Sequence, residues 1–297
     1  MLHDTRFQRF EVSPLTGALG ADVRGIDLAA SPDDTTFEDM RRALHEYHVL
    51  AVRNQSLTPK SLHEVARRFG PFSGNPIHVP MEGFDDIVPF VREPDDTGKV
   101  VGEEWHMDLA WLEKPPGITM LYGEVIPPVG GDTCFASLEQ VYCSLSPGMK
   151  ALLANLTAVH SGKGVYATNA AHKRLPVRAE GIKADEVEVE HPVICAHPAT
   201  GRRYVFLSSV LQRFKGMTEA ETKPIVDYLI GLAIRPEFTC RVRWEAGTLT
   251  MWANPLVLHT AIGDYSGYRR VTYRTTVEGW APQAPRDNAG VANDRAA

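Results

Sequence analysis

The apolar pattern is helical in two early stretches and turns to strand-like in the second half of the chain. Residues 36–48 and 58–69 carry a helical pattern, and Thr58-Pro59 opens the second with a start signal. Between them, Val49-Leu50-Ala51-Val52 is a short apolar run that predicts a strand. Residues 71–102 are rich in Pro, Gly and acidic side chains, which predicts a long surface loop broken by a short strand over 87–91. A helix is predicted over 136–156 with a break at Ser146-Pro147. Another is predicted over 218–233, where Thr218-Glu219-Ala220-Glu221 has the form of a capping box.

Segments 193–196, 203–207, 238–244, 248–252 and 268–277 are short and rich in β-branched or aromatic residues. Turn signals such as Ala199-Thr200-Gly201 and Glu245-Ala246-Gly247 separate them, so the second half predicts a β-sandwich or barrel with helices packed outside. The 297 residues fit one large domain, expected over 1–281. Residues 282–297, rich in Pro, Ala, Asn, Asp and Gly, read as a flexible tail.

Composition narrows the choice of function. No segment approaches the ~18 uncharged apolar residues of a membrane span, and the N-terminus carries no readable secretory signal, so a cytoplasmic protein is expected. Cys134, Cys143, Cys195 and Cys240 form no CxxC pair and read as free thiols. A net charge of -6 and no Lys/Arg run longer than two argue against a nucleic-acid partner.

The chemistry concentrates in Glu104-Trp105-His106-Met107-Asp108. On an extended strand His106 and Asp108 point to one face, placing an imidazole beside a carboxylate. With a second histidine this becomes the ligand set of non-haem iron oxygenases, and His259, just past a predicted strand, is the candidate. Alone, His-x-Asp is a weak signal. Arg270 and Arg274 follow at i and i+4 on a predicted strand, so both guanidinium groups face one side. Two inward cations require anionic partners, which a carboxylate cosubstrate and an anionic substrate would supply. Blander readings exist for each residue: a core histidine, arginines reaching to solvent, and a plain His106–Asp108 pair. None accounts for the order and spacing of the whole set.

Trp105-His106-Met107-Asp108, Gly130-Gly131-Asp132-Thr133 and Trp252-x-Asn254-x4-His259, followed by Asp264-Tyr265-x4-Arg270-x3-Arg274, resemble the taurine dioxygenase and 2,4-dichlorophenoxyacetate dioxygenase family. The likeness runs over nearly the whole chain, from Pro14-Leu15-Thr16-Gly17 onward. It implies a double-stranded β-helix (jelly roll, cupin-like) with flanking helices. It further implies an enzyme using Fe(II), 2-oxoglutarate and O2 to hydroxylate a small anionic organic molecule, with C–O or C–S cleavage where the hydroxylated carbon bears oxygen or sulfur. By resemblance, His106, Asp108 and His259 bind the metal and Thr133 and Arg270 the distal carboxylate of 2-oxoglutarate, while Arg274 meets the substrate anion or supports the cosubstrate.

The sequence departs from the family pattern at Ala253, where Asp is common, and at Asn75-Pro76, where taurine-cleaving relatives carry His-Pro. Asn75 and His78 are candidate substrate contacts. Phe238-Thr239-Cys240-Arg241-Val242-Arg243-Trp244 is similar to enzymes that cleave aryloxypropionates. A homo-oligomer is expected from the family, although no exposed heptad or apolar stripe marks an interface. Two other readings stay open at this point: a zinc hydrolase built on the same ligands, and a non-catalytic jelly-roll module binding a small acid.

Overall fold

A computed structural model describes residues 3–163, 165, 175–178 and 187–286. The start signals expected at Thr58 and Thr218 operate as predicted, and the first helix begins two residues before its helical pattern, at a cap the pattern did not mark. Helix α1 (Asp34–Tyr47) is capped by Asp33, which accepts from the Thr36 backbone N–H. Helix α2 (Pro59–Arg67) begins with a reciprocal capping box between Thr58 and Ser61. The predicted 136–156 helix is two helices, α3 (Leu138–Ser144) and α4 (Pro147–Ala154). It also starts later than its pattern suggested, because Ala136 and Ser137 end a strand and the Ser137 hydroxyl then caps α3 by accepting from Gln140 N–H. The fifth described helix, α5 (Glu219–Ala233), opens with the Thr218/Glu221 capping box.

The strands, in chain order, are β1 (Glu11–Pro14), β2 (Ala21–Arg24), β3 (Val49–Val52), β4 (Val88–Arg92), β5 (Ile118–Val125), β6 (Thr133–Ser137), β7 (Thr157–Ser161) and β8 (Glu188–Pro192). They continue as β9 (Ile194–Ala196), β10 (Arg203–Val205), β11 (Leu211–Phe214), β12 (Thr239–Val242), β13 (Thr248–Ala253), β14 (Val257–Ala261) and β15 (Arg270–Val277). Seven form a main sheet in the order β1-β2-β3-β13-β5-β15-β4, and β12-β6-β14 form a smaller sheet. Two further small sheets, β11-β7-β8 and β10-β9, complete the β structure among the described residues. This is the β-sandwich with helices outside that the strand-rich second half predicted, and the jelly roll that the family resemblance implied.

Alternation along the strands explains the layering. On one face of the main sheet, Leu50, Val52, Leu249 and Met251 join Phe37, Met40, Leu44, Leu62 and Val65 of α1 and α2 in one apolar cluster. On the other face, Val49, Ala51 and Trp252 pack with Phe135, Val242 and Val257 of the small sheet. Phe135 is completely buried, with its ring 5.4 Å from that of Trp252. Burying a side chain of this kind contributes roughly 1.5 to 3 kcal/mol, so this contact anchors the two sheets face to face. The site opens at the edge of this inter-sheet layer.

The described part of the C-terminal segment, residues 282–286, lies on the fold: Ala196 N–H donates to the Gln283 carbonyl at 3.0 Å. Residues 287–297 of the expected tail lie outside the described residues. No helix among the described residues is long and apolar enough to cross a membrane.

Candidate active site

His106 sits in a two-residue bridge with His259. Each backbone N–H donates to the other's carbonyl, at 3.0 and 2.8 Å. His259 therefore lies within a strand of its own, β14, rather than just past one. The strand expected to carry His106 and Asp108 does not form: His106 makes only this isolated bridge. Asp108 enters a turn, and Leu109 adopts a left-handed φ of 50°. The turn, rather than strand alternation, brings the carboxylate round to the imidazoles.

Three donor atoms converge there, one from each of His106, Asp108 and His259, all within 4.8 Å of one another. Asp108 Oδ1 lies 3.7 Å from His106 Nε2 and 3.8 Å from His259 Nε2, too far for hydrogen bonds and consistent with an ion between them. His106 Nδ1 lies 2.7 Å from the Glu104 carbonyl, an acceptor that requires the ring proton on Nδ1 and leaves the Nε2 lone pair free. Burial, reinforced by His106, holds His259 well below the usual imidazole range, so its ring is neutral and able to donate a lone pair. For Asp108 burial opposes ionisation, but Arg274, His259, His106 and the Thr119 hydroxyl outweigh it and keep the carboxyl far below its usual range. The other oxygen, Oδ2, accepts from Thr119 Oγ1 at 2.8 Å and lies 3.0 Å from Arg274 Nη2, so Oδ1 is the atom turned to the histidines.

A cavity of about 680 Å3 opens onto these ligands. Arg270, Arg274 and Thr133 line it, as the one-face argument for β15 predicted for the two arginines. Arg270 lies against the rings of Trp244 and Tyr265, at 5.4 and 5.8 Å, and its Nε has no hydrogen-bond partner. No carboxylate among the described residues forms an ion pair with it, and burial lowers its pKa. An enclosed guanidinium in that state calls for an anion. The donor set, the neutral His259 ring and this cation without a carboxylate partner fit a divalent metal with an acidic cosubstrate beside it.

Apolar walls complete the cavity, among them Phe90, Val101, Leu121, Leu175 and Ile262. Asn75 and His78 are not among its lining residues. Asn75 Oδ1 caps a turn, accepting from Ile77 and His78 N–H at 2.9 Å each, and His78 is buried with its ring edge-on to Phe90 at 5.4 Å. Ala253 belongs to the helix-side cluster whereas Trp252 belongs to the site-side cluster, so the residue that departs from the family pattern faces away from the ligands. Thr119 and Asn254 were not singled out as site residues in the sequence. Thr119 sits on β5, distant in sequence from both arginines, and only folding shows that its hydroxyl reaches Asp108.

Fold and site define a dioxygenase of the kind that combines a metal with an oxo-acid cosubstrate. The chain belongs to the Taurine catabolism dioxygenase TauD, TfdA family, whose sequence pattern matches residues 11–276, and its class uses Fe(II), 2-oxoglutarate and O2. It is 30% identical over 275 residues to an alkylsulfatase of Acinetobacter baylyi, a match covering 92% of this chain and 86% of that protein. It is likewise 30% identical over 275 residues to an alpha-ketoglutarate-dependent sulfate ester dioxygenase of Pseudomonas putida, covering 92% of this chain and 90% of that one. The crystal structure of a taurine dioxygenase from Burkholderia xenovorans superposes with a TM-score of 0.79 at 30% identity, covering 94% of each chain.

Proposed function

We propose that this enzyme hydroxylates a small organic anion with an apolar body, a sulfate ester being the leading substrate class. In this reading His106, Asp108 and His259 hold Fe(II), Thr133 and Arg270 hold the distal carboxylate of 2-oxoglutarate, and Arg274 meets the substrate's anionic group. Iron and 2-oxoglutarate, when bound, supply the oxidation of a C–H bond by O2, with succinate and CO2 as coproducts.

The protein's own contribution is placement and charge. Arg270 and the Thr133 hydroxyl offer a charged and a neutral donor to one carboxylate. Arg274 lines the cavity beside Asp108, 3.0 Å from its carboxylate, and from there can share its charge with an incoming sulfate. Phe90, Leu121, Leu175 and Ile262 exclude water from the non-polar part of the substrate. Hydroxylation of the carbon that bears the ester oxygen leaves a product that collapses to an aldehyde and sulfate. The relatives named for alkyl sulfates and sulfate esters support this class, and so does the apolar lining beside Arg274.

The observation that carries the reading is the enclosed, unpaired Arg270 opening onto the same cavity as the three ligands. A zinc hydrolase would leave the arginine without a purpose, and a plain acid-binding module the three converging ligands. The test is succinate formation by anaerobically prepared protein given Fe(II), 2-oxoglutarate and O2, across alkyl sulfates, aryloxyalkanoates and sulfonates. Succinate stimulated most by an alkyl sulfate is the expected result. Stimulation only by aryloxyalkanoates or sulfonates would move the substrate class, and no turnover with any of them would overturn the reading.

A further inference from the structure

Trp244 stands just after β12, is 4% exposed and does not line the cavity. It nevertheless touches both groups assigned to the cosubstrate carboxylate. Its indole Nε1–H donates to Thr133 Oγ1 at 3.0 Å, and its ring face carries the Arg270 guanidinium at 5.4 Å.

An indole N–H can only donate, so the bond occupies a lone pair of the Thr133 oxygen and leaves the hydroxyl proton to be given elsewhere. Thr133 is itself 6% exposed and lines the cavity, which leaves that proton directed toward the anion site. The same ring offers its negative π face to Arg270, favouring a cation there before any anion arrives. The indole is held from behind by β5: a Cβ added to Gly123 would lie 3.1 Å from Trp244 Cε3, so this close approach depends on glycine. Thr133 and Arg270 come from different sheets and are far apart in sequence, and Trp244 is a single rigid plate in contact with both.

The geometry points to Trp244 as a positioning residue that fixes the hydroxyl direction of Thr133 and the seat of Arg270, presetting the carboxylate site for 2-oxoglutarate. This rests on the reading that Thr133 and Arg270 hold that carboxylate.

The experiment is calorimetric titration of 2-oxoglutarate into Mn(II)-loaded, anaerobic protein, comparing wild type with Trp244→Phe, Thr133→Val, their double variant and Arg270→Ala. Phenylalanine keeps a ring under Arg270 but removes the N–H. The expected result is an affinity loss of about tenfold for Trp244→Phe, the scale of one hydrogen bond, with Mn(II) affinity unchanged. The double variant should bind no worse than Thr133→Val alone, because the indole acts through the hydroxyl.

Wild-type affinity in Trp244→Phe, or single losses that multiply in the double variant, would overturn the inference while leaving the cosubstrate reading intact. If Thr133→Val and Arg270→Ala also bind 2-oxoglutarate as wild type does, the cosubstrate reading itself fails. Should Trp244→Phe not fold, the indole N–H resonances of Zn(II)-loaded wild type decide. The signal displaced by Thr133→Val must move when 2-oxoglutarate is added, and a stationary signal sinks the proposal.

Discussion

Asn254 grips the peptide of Asp108 from both sides. Asp108 N–H donates to Asn254 Oδ1 at 3.0 Å, and Asn254 Nδ2 donates to the Asp108 carbonyl at 2.9 Å and to that of Pro116 at 3.1 Å. The amide is completely buried, and the residue it steadies precedes Leu109 in its left-handed conformation. A non-glycine residue in that region costs of order 1 to 3 kcal/mol and persists only where neighbours over-determine it.

Asn254→Ala should therefore loosen the carboxylate ligand. The expected outcome is a roughly 10- to 100-fold loss of Mn(II) affinity, with a stability loss of about 1 to 3 kcal/mol from the unpaired peptide groups. Metal titration and urea unfolding measure the two separately. Reduced stability with wild-type metal affinity would confine Asn254 to folding.

Arg270→Ala removes the cation that no described carboxylate satisfies. Cosubstrate binding should weaken by roughly 2 to 5 kcal/mol, read as the dissociation constant of 2-oxoglutarate on metal-loaded protein. Arg270→Lys should recover only part of it, since a point charge cannot reproduce the fork or its contact with the Trp244 ring. An unchanged affinity in the alanine variant would remove Arg270 from the site.

Acid should destabilise the fold through histidines that are buried and neutral. Burial pushes both His160 and His197 down to about 3, with His191 adding for His160 and His45 for His197. Their folded pKa values lie below the unfolded value, so the unfolded chain takes up protons first as pH falls. The stability they permit is complete above about 6.5 and declines below it, by about 1.4 kcal/mol per pH unit for each. Unfolding free energies measured from pH 7.5 to 5 should show this slope, and His160→Phe should remove one histidine's share. A slope the variant leaves untouched would contradict the assignment.

Gly130→Ala tests the turn that leads into Thr133. Gly130 has a φ of +78°, and a Cβ there would meet Asp264 Oδ1 at 2.6 Å, the same oxygen that accepts from Gly131 N–H at 2.8 Å. A strain of about 1 to 3 kcal/mol is expected, visible as a lower unfolding midpoint. Because that Cβ also meets the Asp264 backbone carbonyl at 2.7 Å, Asp264→Ala should relieve only the side-chain part of the clash in the double variant, and a destabilisation it leaves unchanged would place the whole strain in the backbone.

The helices were legible because their signals are local. A threonine or aspartate followed three residues later by its backbone or side-chain partner fixes a start without reference to the rest of the chain, and α1, α2 and α5 begin where such signals stand. The strands β3, β13 and β15 were legible from apolar and β-branched runs. β5, β6 and β14 were not singled out: Gly123 interrupts β5, the end of β6 at Ala136-Ser137 reads as the start of the following helix, and β14 follows directly on Asn254-Pro255. Their strand state is imposed by partners: β14 by β6, and β5 by β13 and β15.

His106, Asp108, His259, Arg270 and Arg274 could be chosen from the chain because metal and anion chemistry restricts residue type, and because the two arginines share one strand face by simple alternation. Their convergence could not be read there. The αL turn at Leu109 is held by neighbours the local pattern does not show, and the hold of Asn254 on Asp108, the Thr119 bond that assigns the two carboxylate oxygens, and the plate of Trp244 between Thr133 and Arg270 join residues from different elements. Sequence determined which side chains could carry the chemistry, since each ionises and bonds according to its own type. Tertiary structure decided their distances, their solvent and their unmet hydrogen bonds, since those depend on what burial places next to each group.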